Sequence, residues 1–367
     1  MGLERIELAL LKLPYVHYFE TSFGREFDRT FILVRAFSEG VEGLGEVVAS
    51  YSPLYSYETT ATAWHVLSEF FVPMALKEGL EKPQEFQRRV SQFRGHPMAK
   101  AGLELALWDL HAKKKGIPLW KVYGGTQDRI PAGVSIGIQD TPDELLERIA
   151  AFLDEGYRRV KIKIKPGWDR DICAAIRSRF PDLLLQADAN GGYRPEDTEI
   201  LRSLDEFNML MLEQPFPPYD LWDHSRLQKD LETPLCLDES VLNLTTARQA
   251  LEMGSCRIIN IKVGRVGGIV EAMAIHDFCQ DRDVPVWCGG MLESGIGRAH
   301  NIHLASLSNF RFPHDISASR RYFSPDLIEP EVDITEDGFI LIPEKPGIGV
   351  TPREDLIGKA TLKQQSF

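Results

Sequence analysis

The sequence predicts an α/β protein: a (β/α) barrel joined to a smaller α+β unit. Three observations predict it. At 367 residues the chain exceeds what a single hydrophobic core usually holds. From about residue 126 onward, strand-like and helix-like segments alternate. Acidic residues end three successive strand-like segments at a constant interval of 25 residues.

In chain order, residues 2–13 and 30–37 read as strands, and Gly40, Gly43 and Gly45 break up the segment after the second. Helical spacing runs from Thr59 to about Leu76. It runs again from Pro97 to Lys115, where Leu103, Ala106, Leu107 and Leu110 share a face. Gly116 and Pro118 close that helix. After Gly124-Gly125 the rhythm changes. Strands are expected at 131–138, 160–165, 183–188, 208–213, 235–238, 257–262, 284–288 and 314–317. Helices are expected between them, over 142–155, 168–179, 194–204, 221–231, 244–253, 268–282 and 297–307. Such connections suit parallel strands. Eight strands would close a barrel, and two halves of an open sheet fit the pattern as well. The units are therefore set at 1–125 (α+β), 126–325 (barrel) and 326–367, a C-terminal segment returning to the first unit. Residues 351–367 are polar and are expected to fray.

Apolar residues make up 43% and charged residues 26%, ordinary values for a globular protein. The net charge of −12 argues against a nucleic-acid or anionic-membrane surface, yet leaves room for a small anionic substrate met by local cations. Five cysteines without a CxxC pair speak against a disulfide framework or zinc–thiolate cluster. The first segment, MGLERIELALLKLP, reads as a strand and not as a signal peptide. No stretch approaches the ~18 apolar residues of a membrane span. A cytoplasmic location is the expectation.

The chemistry concentrates in VKIKIK (160–165), LQADANG (185–191), LMLEQP (210–215), LCLDES (235–240) and INIKVG (259–264). Asp188, Glu213 and Asp238 end the third, fourth and fifth barrel strands. Consecutive strand ends are neighbours on one rim, so the three acids converge. One such acid is ordinarily a helix cap or a solvated side chain. Three together repel and raise one another's pKa values. A hard divalent cation, Mg²⁺ or alternatively Mn²⁺, removes that conflict. Lys161, Lys163 and Lys165 alternate with Val160, Ile162 and Ile164, so all three share one strand face. Inward ammonium groups are costly unless they meet anions. The bland alternative is a basic edge strand salt-bridged to the acids. Lys262 repeats the signal on the sixth strand, and Asn260 precedes it on the same face. This set suits removal of a proton beside a substrate carboxylate. The resulting enediolate gains a second charge that a cation offsets, and a desolvated lysine serves as base.

Other residues are weaker candidates. Asn190 has the parity of Asp188. Glu239 points differently from Asp238 and is placed to orient Lys262 or a metal ligand. Asp315 and Ser317 are possible orienting groups. The run Gly289 to Gly295 could offer backbone amides to an anion, and Gly264, Gly267 and Gly268 lack the dinucleotide fingerprint.

These motifs resemble the enolase superfamily, in its muconate-lactonizing-like branch. That pattern has Lys-x-Lys on the second barrel strand, three acids on the next three and a lysine on the sixth. Here these are Lys161-Ile162-Lys163, Asp188, Glu213, Asp238 and Lys262. Lys163-Ile164-Lys165 is a second register for the pair, and the following Pro166-Gly167-Trp168-Asp169 favours the first. Three further segments are similar to the o-succinylbenzoate synthase and N-acylamino-acid racemase group. They are Glu20 to Gly24, Pro97 to Ala101 and Gly289 to Ala299. The resemblance covers about residues 3 to 350. It implies a modified TIM barrel of the β7α type, with a capping domain made of both termini. It makes Lys163 the principal base and Lys262 its partner. It implies loops near 18–26 and 50–57 that close over a small carboxylate substrate. Phe19, Phe23, Tyr51 and Tyr55 are contacts there, with Ser135, Gly290, Met291 and Glu293 as further substrate candidates. The reaction implied is dehydration of 2-succinyl-6-hydroxy-2,4-cyclohexadiene-1-carboxylate to 2-succinylbenzoate in menaquinone biosynthesis. Racemisation of N-acyl or N-succinyl amino acids by the same lysines is the alternative. A homo-oligomer is expected, since relatives assemble.

Overall fold

The computed structural model describes residues 2–367. Strands β1 (Arg5–Thr21) and β2 (Gly24–Ser38) form a long antiparallel hairpin. β3 (Val41–Val47) follows on β2. The first two strands run past the expected 2–13 and 30–37. Their extra residues form the hairpin tip, where a register shift falls between Pro14 and Phe19. Gly24 to Asp28 is largely exposed, so it lacks the alternation that marks a half-buried strand.

The helix Pro97–Lys115 packs under this sheet. Gly43 and Gly45 explain the glycine spacing on β3. A Cβ at Gly43 would stand 2.1 Å from Ala106 O, and one at Gly45 would stand 2.2 Å from Gly102 O. The helical stretch after Thr59 widens into a π-turn at Leu67–Phe71 and resumes over Val72–Glu78. Pro73 sits there without an N–H, which removes one α-helical bond.

The larger sheet holds seven strands: β4 (Gly133–Ile136), β5 (Arg159–Lys163), β6 (Leu184–Asp188), β7 (Met211–Glu213), β8 (Leu235–Leu237), β9 (Ile258–Ile261) and β10 (Val286–Cys288). They pair in sequence order, all parallel. The eighth expected strand, 314–317, is not formed. Isolated bridges Val286–Phe310 and Ala132–His314 take its place. Gly133 N donates to His314 O, and Asp315 N donates to Cys288 O. Pro313 has no N–H to offer, and its carbonyl accepts from Arg159 inside the barrel. The result is a modified (β/α)₇ barrel closed by an irregular segment.

Residues 351–367 do not fray. A helix spans Glu354–Ala360, and β11 (Thr361–Ser366) pairs with β1 from Glu7–Ser366 to Leu11–Thr361. β11 is an exposed edge strand, so main-chain bonds order it while its side chains stay polar. The smaller sheet is thus built from both ends of the chain, in the order β11-β1-β2-β3. Three short helices were not apparent in the periodicity: Pro83–Val90, Leu119–Tyr123 and Val263–Val266.

Candidate active site

The alternation in β5 does what its period requires. Val160 and Ile162 are fully buried against the helix layer. Lys161 and Lys163 point inward and are buried too. Lys165 departs from the expected column of three, because the strand ends at Lys163. Its side chain is 43% exposed, and its ammonium lies 3.7 Å from Glu20. The parallel register then sets Lys163 beside Asp188, and Asp188 beside Glu213. Asp238 follows the end of β8, and Lys262 follows the end of β9.

Carboxylate oxygens of Asp188, Glu213 and Asp238 all lie within 4.8 Å of one another, and all three residues are fully buried. Each is aimed by its neighbours. Glu213 accepts from Asn260 Nδ2 at 2.7 Å and Gln186 Nε2 at 2.7 Å. Asp238 accepts from Tyr55 Oη at 2.8 Å and pairs with Arg265. Its Oδ2 is 2.7 Å from Lys262 Nζ, yet has no hydrogen bond of acceptable angle. Asp188 Oδ2 is 2.6 Å from Lys163 Nζ and 3.1 Å from Lys161 Nζ. Three convergent buried carboxylates fit a divalent cation with oxygen ligands. Asp188, Glu213 and Asp238 would hold it.

The electrostatics show the conflict that such a cation relieves. Burial acts against ionisation of Asp188, but Lys163 and Lys161 outweigh it and hold the carboxyl below its ordinary range. Burial and the Asp188 charge push Glu213 up. Burial likewise pulls the Lys163 ammonium down, against the opposing pull of Asp188. For Lys161, burial is outweighed by Asp315, Glu213 and Asp188, and its pKa rises. Lys262 also rises, since Tyr55, Glu213, Glu239 and Asp188 overcome its burial.

A cavity of about 280 Å³ opens above this cluster. Lys161, Lys163, Lys262 and Asn190 line its floor. Phe19, Phe23 and Tyr55 line it from the smaller unit, and Ser135, Gly290, Met291 and Glu293 from the barrel. Lys262 Nζ sits 4.7 Å from the Tyr55 ring centre, within cation–π range. Two expected residues lie beneath the floor. Asn260 holds Glu213, and Glu239 accepts from Asn190 Nδ2 at 2.9 Å. Asn190 has a left-handed backbone (φ 45°) and also accepts from Lys163 Nζ at 2.7 Å. Tyr51, expected as a contact, instead lies outside this cavity, 79% exposed beside a separate groove.

Several residues of the site were not singled out by the sequence reading. Gln186 shares the inward face of Asp188, and that parity was a usable signal. Arg265 lies on the short helix Val263–Val266, where no periodicity points it at Asp238. Asp315, already a candidate orienting group in the sequence, bridges Lys161 Nζ at 2.5 Å and the buried Arg159 at 2.7 Å. Arg29, Arg298 and Tyr322 also reach the cavity wall.

A barrel with three acids on successive strand ends, flanked by buried lysines, defines a metal-dependent enzyme acting on a small carboxylate. The chain belongs to the enolase superfamily, in its muconate-lactonizing branch. Residues 6–124 match the mandelate racemase / muconate lactonizing enzyme N-terminal domain, and residues 144–356 match the enolase C-terminal domain-like family. An o-succinylbenzoate synthase of Geobacillus kaustophilus is 51% identical, over 95% of this chain and 93% of the relative. An N-succinylamino acid racemase of Thermus thermophilus is 45% identical, over 100% and 99%. A crystal structure of an enolase superfamily member from Listeria innocua superposes with a TM-score of 0.96 at 40% identity, covering 100% and 99% of the two chains.

Proposed function

We propose that this chain is an o-succinylbenzoate synthase. It would convert 2-succinyl-6-hydroxy-2,4-cyclohexadiene-1-carboxylate to 2-succinylbenzoate and water. One observation carries the reading: Lys163 at the end of β5 and Lys262 just past β9, four strands further round the barrel, enter one cavity above three convergent carboxylates. The 51% identical Geobacillus relative supports the choice of reaction.

When bound, the divalent cation supplies positive charge to the substrate carboxylate. Lys163 Nζ, held by Asp188 and Asn190, takes the α-proton. The Lys163 ammonium then returns that proton to the departing hydroxyl, so water leaves and the ring becomes aromatic. Lys262 keeps its proton and offsets the charge of the planar anion. Phe19 and Tyr55 cover the cavity and limit access of water.

A second reading rests on the same two lysines. One removes the α-proton of an N-succinylamino acid and the other returns a proton on the opposite face. The 45% identical Thermus relative favours it. Purified protein with Mg²⁺ and each substrate separates the readings. Dehydration is followed optically, and inversion by exchange of the α-hydrogen in deuterated water. Dehydration is expected to be the faster; inertness towards both substrates would overturn the assignment.

We propose the same division of the chain as its sequence suggested: a capping unit over 1–125, a barrel over 126–325 and a returning segment over 326–367. The pairing of β11 with β1 supports it. Five free, buried cysteines support a reducing, cytoplasmic location. No described helix is long and apolar enough to cross a membrane. Exposed Phe27, Tyr51 and Leu362 around one groove of the smaller sheet support a homo-oligomer, which light scattering would detect.

A further inference from the structure

The loop 289–294 supplies Gly290, Met291, Leu292 and Glu293 to the cavity wall. It spans the gap between β10 and the helix Gly295–Leu304. Its conformation is costly, since Leu292 is left-handed (φ 59°) without being glycine. Something must hold it. At its start, Gly289 N donates to Ile261 O. Within it, Glu293 folds back to accept from Met291 N at 2.9 Å and from Asn301 at 2.9 Å. At its end, the holding group comes from the other unit. Glu46 on β3 is buried and accepts from Ser294 N at 3.2 Å, Ser294 Oγ at 2.5 Å and Gly297 N at 3.2 Å. One carboxylate thus ties the smaller sheet to the last residue of the loop and to the first turn of the helix behind it.

A second carboxylate of the smaller unit provides a comparison. Glu104 accepts from Val270 N at 2.9 Å, at the start of the helix Ile269–Gln280. It too joins the two units, but the segment before that helix reaches the cavity only at Lys262, and Glu104 makes no contact with the 289–294 loop.

We propose that Glu46 is a positioning residue for the reaction: it fixes the 289–294 loop and, through that loop, the apolar and polar wall that the substrate meets. Its kinetic consequence rests on the proposed function, whereas its effect on the loop does not. Hydrogen exchange of the 289–298 segment therefore comes first. In the E46Q variant this segment is expected to exchange about tenfold faster than in wild type, while E104Q leaves it unchanged. With the dehydration substrate, E46Q raises KM by about tenfold and changes kcat by less than about threefold. Both variants lower Tm, which is the structural part of either contact. E46Q and S294A are expected to be strongly non-additive in KM, as partners in one hydrogen bond are. S294A, which removes only a hydroxyl, covers the case of E46Q failing to fold. Equal exchange and equal KM in E46Q and E104Q would overturn the inference, as would additivity of E46Q with S294A. A wild type inert towards the substrate would overturn the proposed function instead, and the exchange comparison would still decide the role of Glu46.

Discussion

Lys161, Lys163 and Lys165 are identical side chains at alternate positions of one segment, and each meets a different environment. Lys161 is enclosed by Asp188, Glu213 and Asp315. Lys165 has left the strand and faces solvent. Lys163 lies between, buried but held by only one carboxylate and an amide oxygen. That balance suits a group that must lose and regain a proton. Lys163→Ala is expected to lower kcat by roughly 10²–10⁴-fold, while Lys165→Ala keeps near wild-type turnover. Steady-state assays of both variants with the dehydration substrate check this, and activity in the first but not the second would reverse the assignment. The three acids make a further prediction. Mg²⁺ binds the folded cluster and not the dispersed chain. At about 100 times its dissociation constant it should therefore stabilise the fold by about 2.7 kcal/mol. Thermal melts with and without EDTA should show a higher Tm with Mg²⁺, and Asp238→Asn should shrink that difference.

Among the elements, the legible ones are those whose side chains carry the pattern. The helix Pro97–Lys115 appears with both its ends, because an apolar face and Gly116 mark them. β5 to β8 are legible because buried apolar positions alternate with, or run into, a charged strand end. Asp188, Glu213, Asp238 and Lys163 stand out in the sequence for that reason, and Lys262 repeats the pattern after β9. What escaped is held by the main chain or by distant partners. β11 pairs through its backbone and keeps a polar surface. The barrel's eighth position is filled by bridges around Pro313 and Arg159. Arg265 and Glu46 act through contacts 27 and 248 residues away in sequence, which local spacing does not encode. Gly45 was visible only as a break. Its place on β3 is one of close approach, with no room for a methyl group above Gly102 O. Gly45→Ala should push the sheet from the helix Pro97–Lys115 and cost about 1–3 kcal/mol. Urea unfolding measures the loss, and an unchanged midpoint would show that the sheet and helix can part freely.

For the whole molecule, two sets of buried groups give stability an unusual dependence on pH. His300 and His303 lie inside the helix Gly295–Leu304, and burial lowers both to about 4. His314 is lowered to about 3, again chiefly by burial. Unfolded histidine titrates near 6.5. The unfolded chain therefore binds the extra protons, and this stability is full above about pH 6.5 and lost as the pH falls towards about 4. Glu46 and Glu104 act in the opposite sense. Burial pushes both up to about 8, and Glu104 has one oxygen with no hydrogen-bond partner. Their contribution is full below the unfolded value of about 4.3 and is lost as the pH rises towards 8. Between about pH 4.5 and 6.5 the two sets oppose each other, and with three histidines against two carboxyls the melting temperature should rise gently with pH, by about one group's slope. From 6.5 to 8 only the carboxyl set remains, and each such group contributes a slope of about −1.4 kcal/mol per pH unit. Tm should therefore fall over that interval in metal-free buffer, and Glu104→Gln should make the fall shallower. A flat profile from pH 6.5 to 8 would mean that both carboxyls are already ionised in the fold, with the helix N-termini they face offsetting the cost of burying charge.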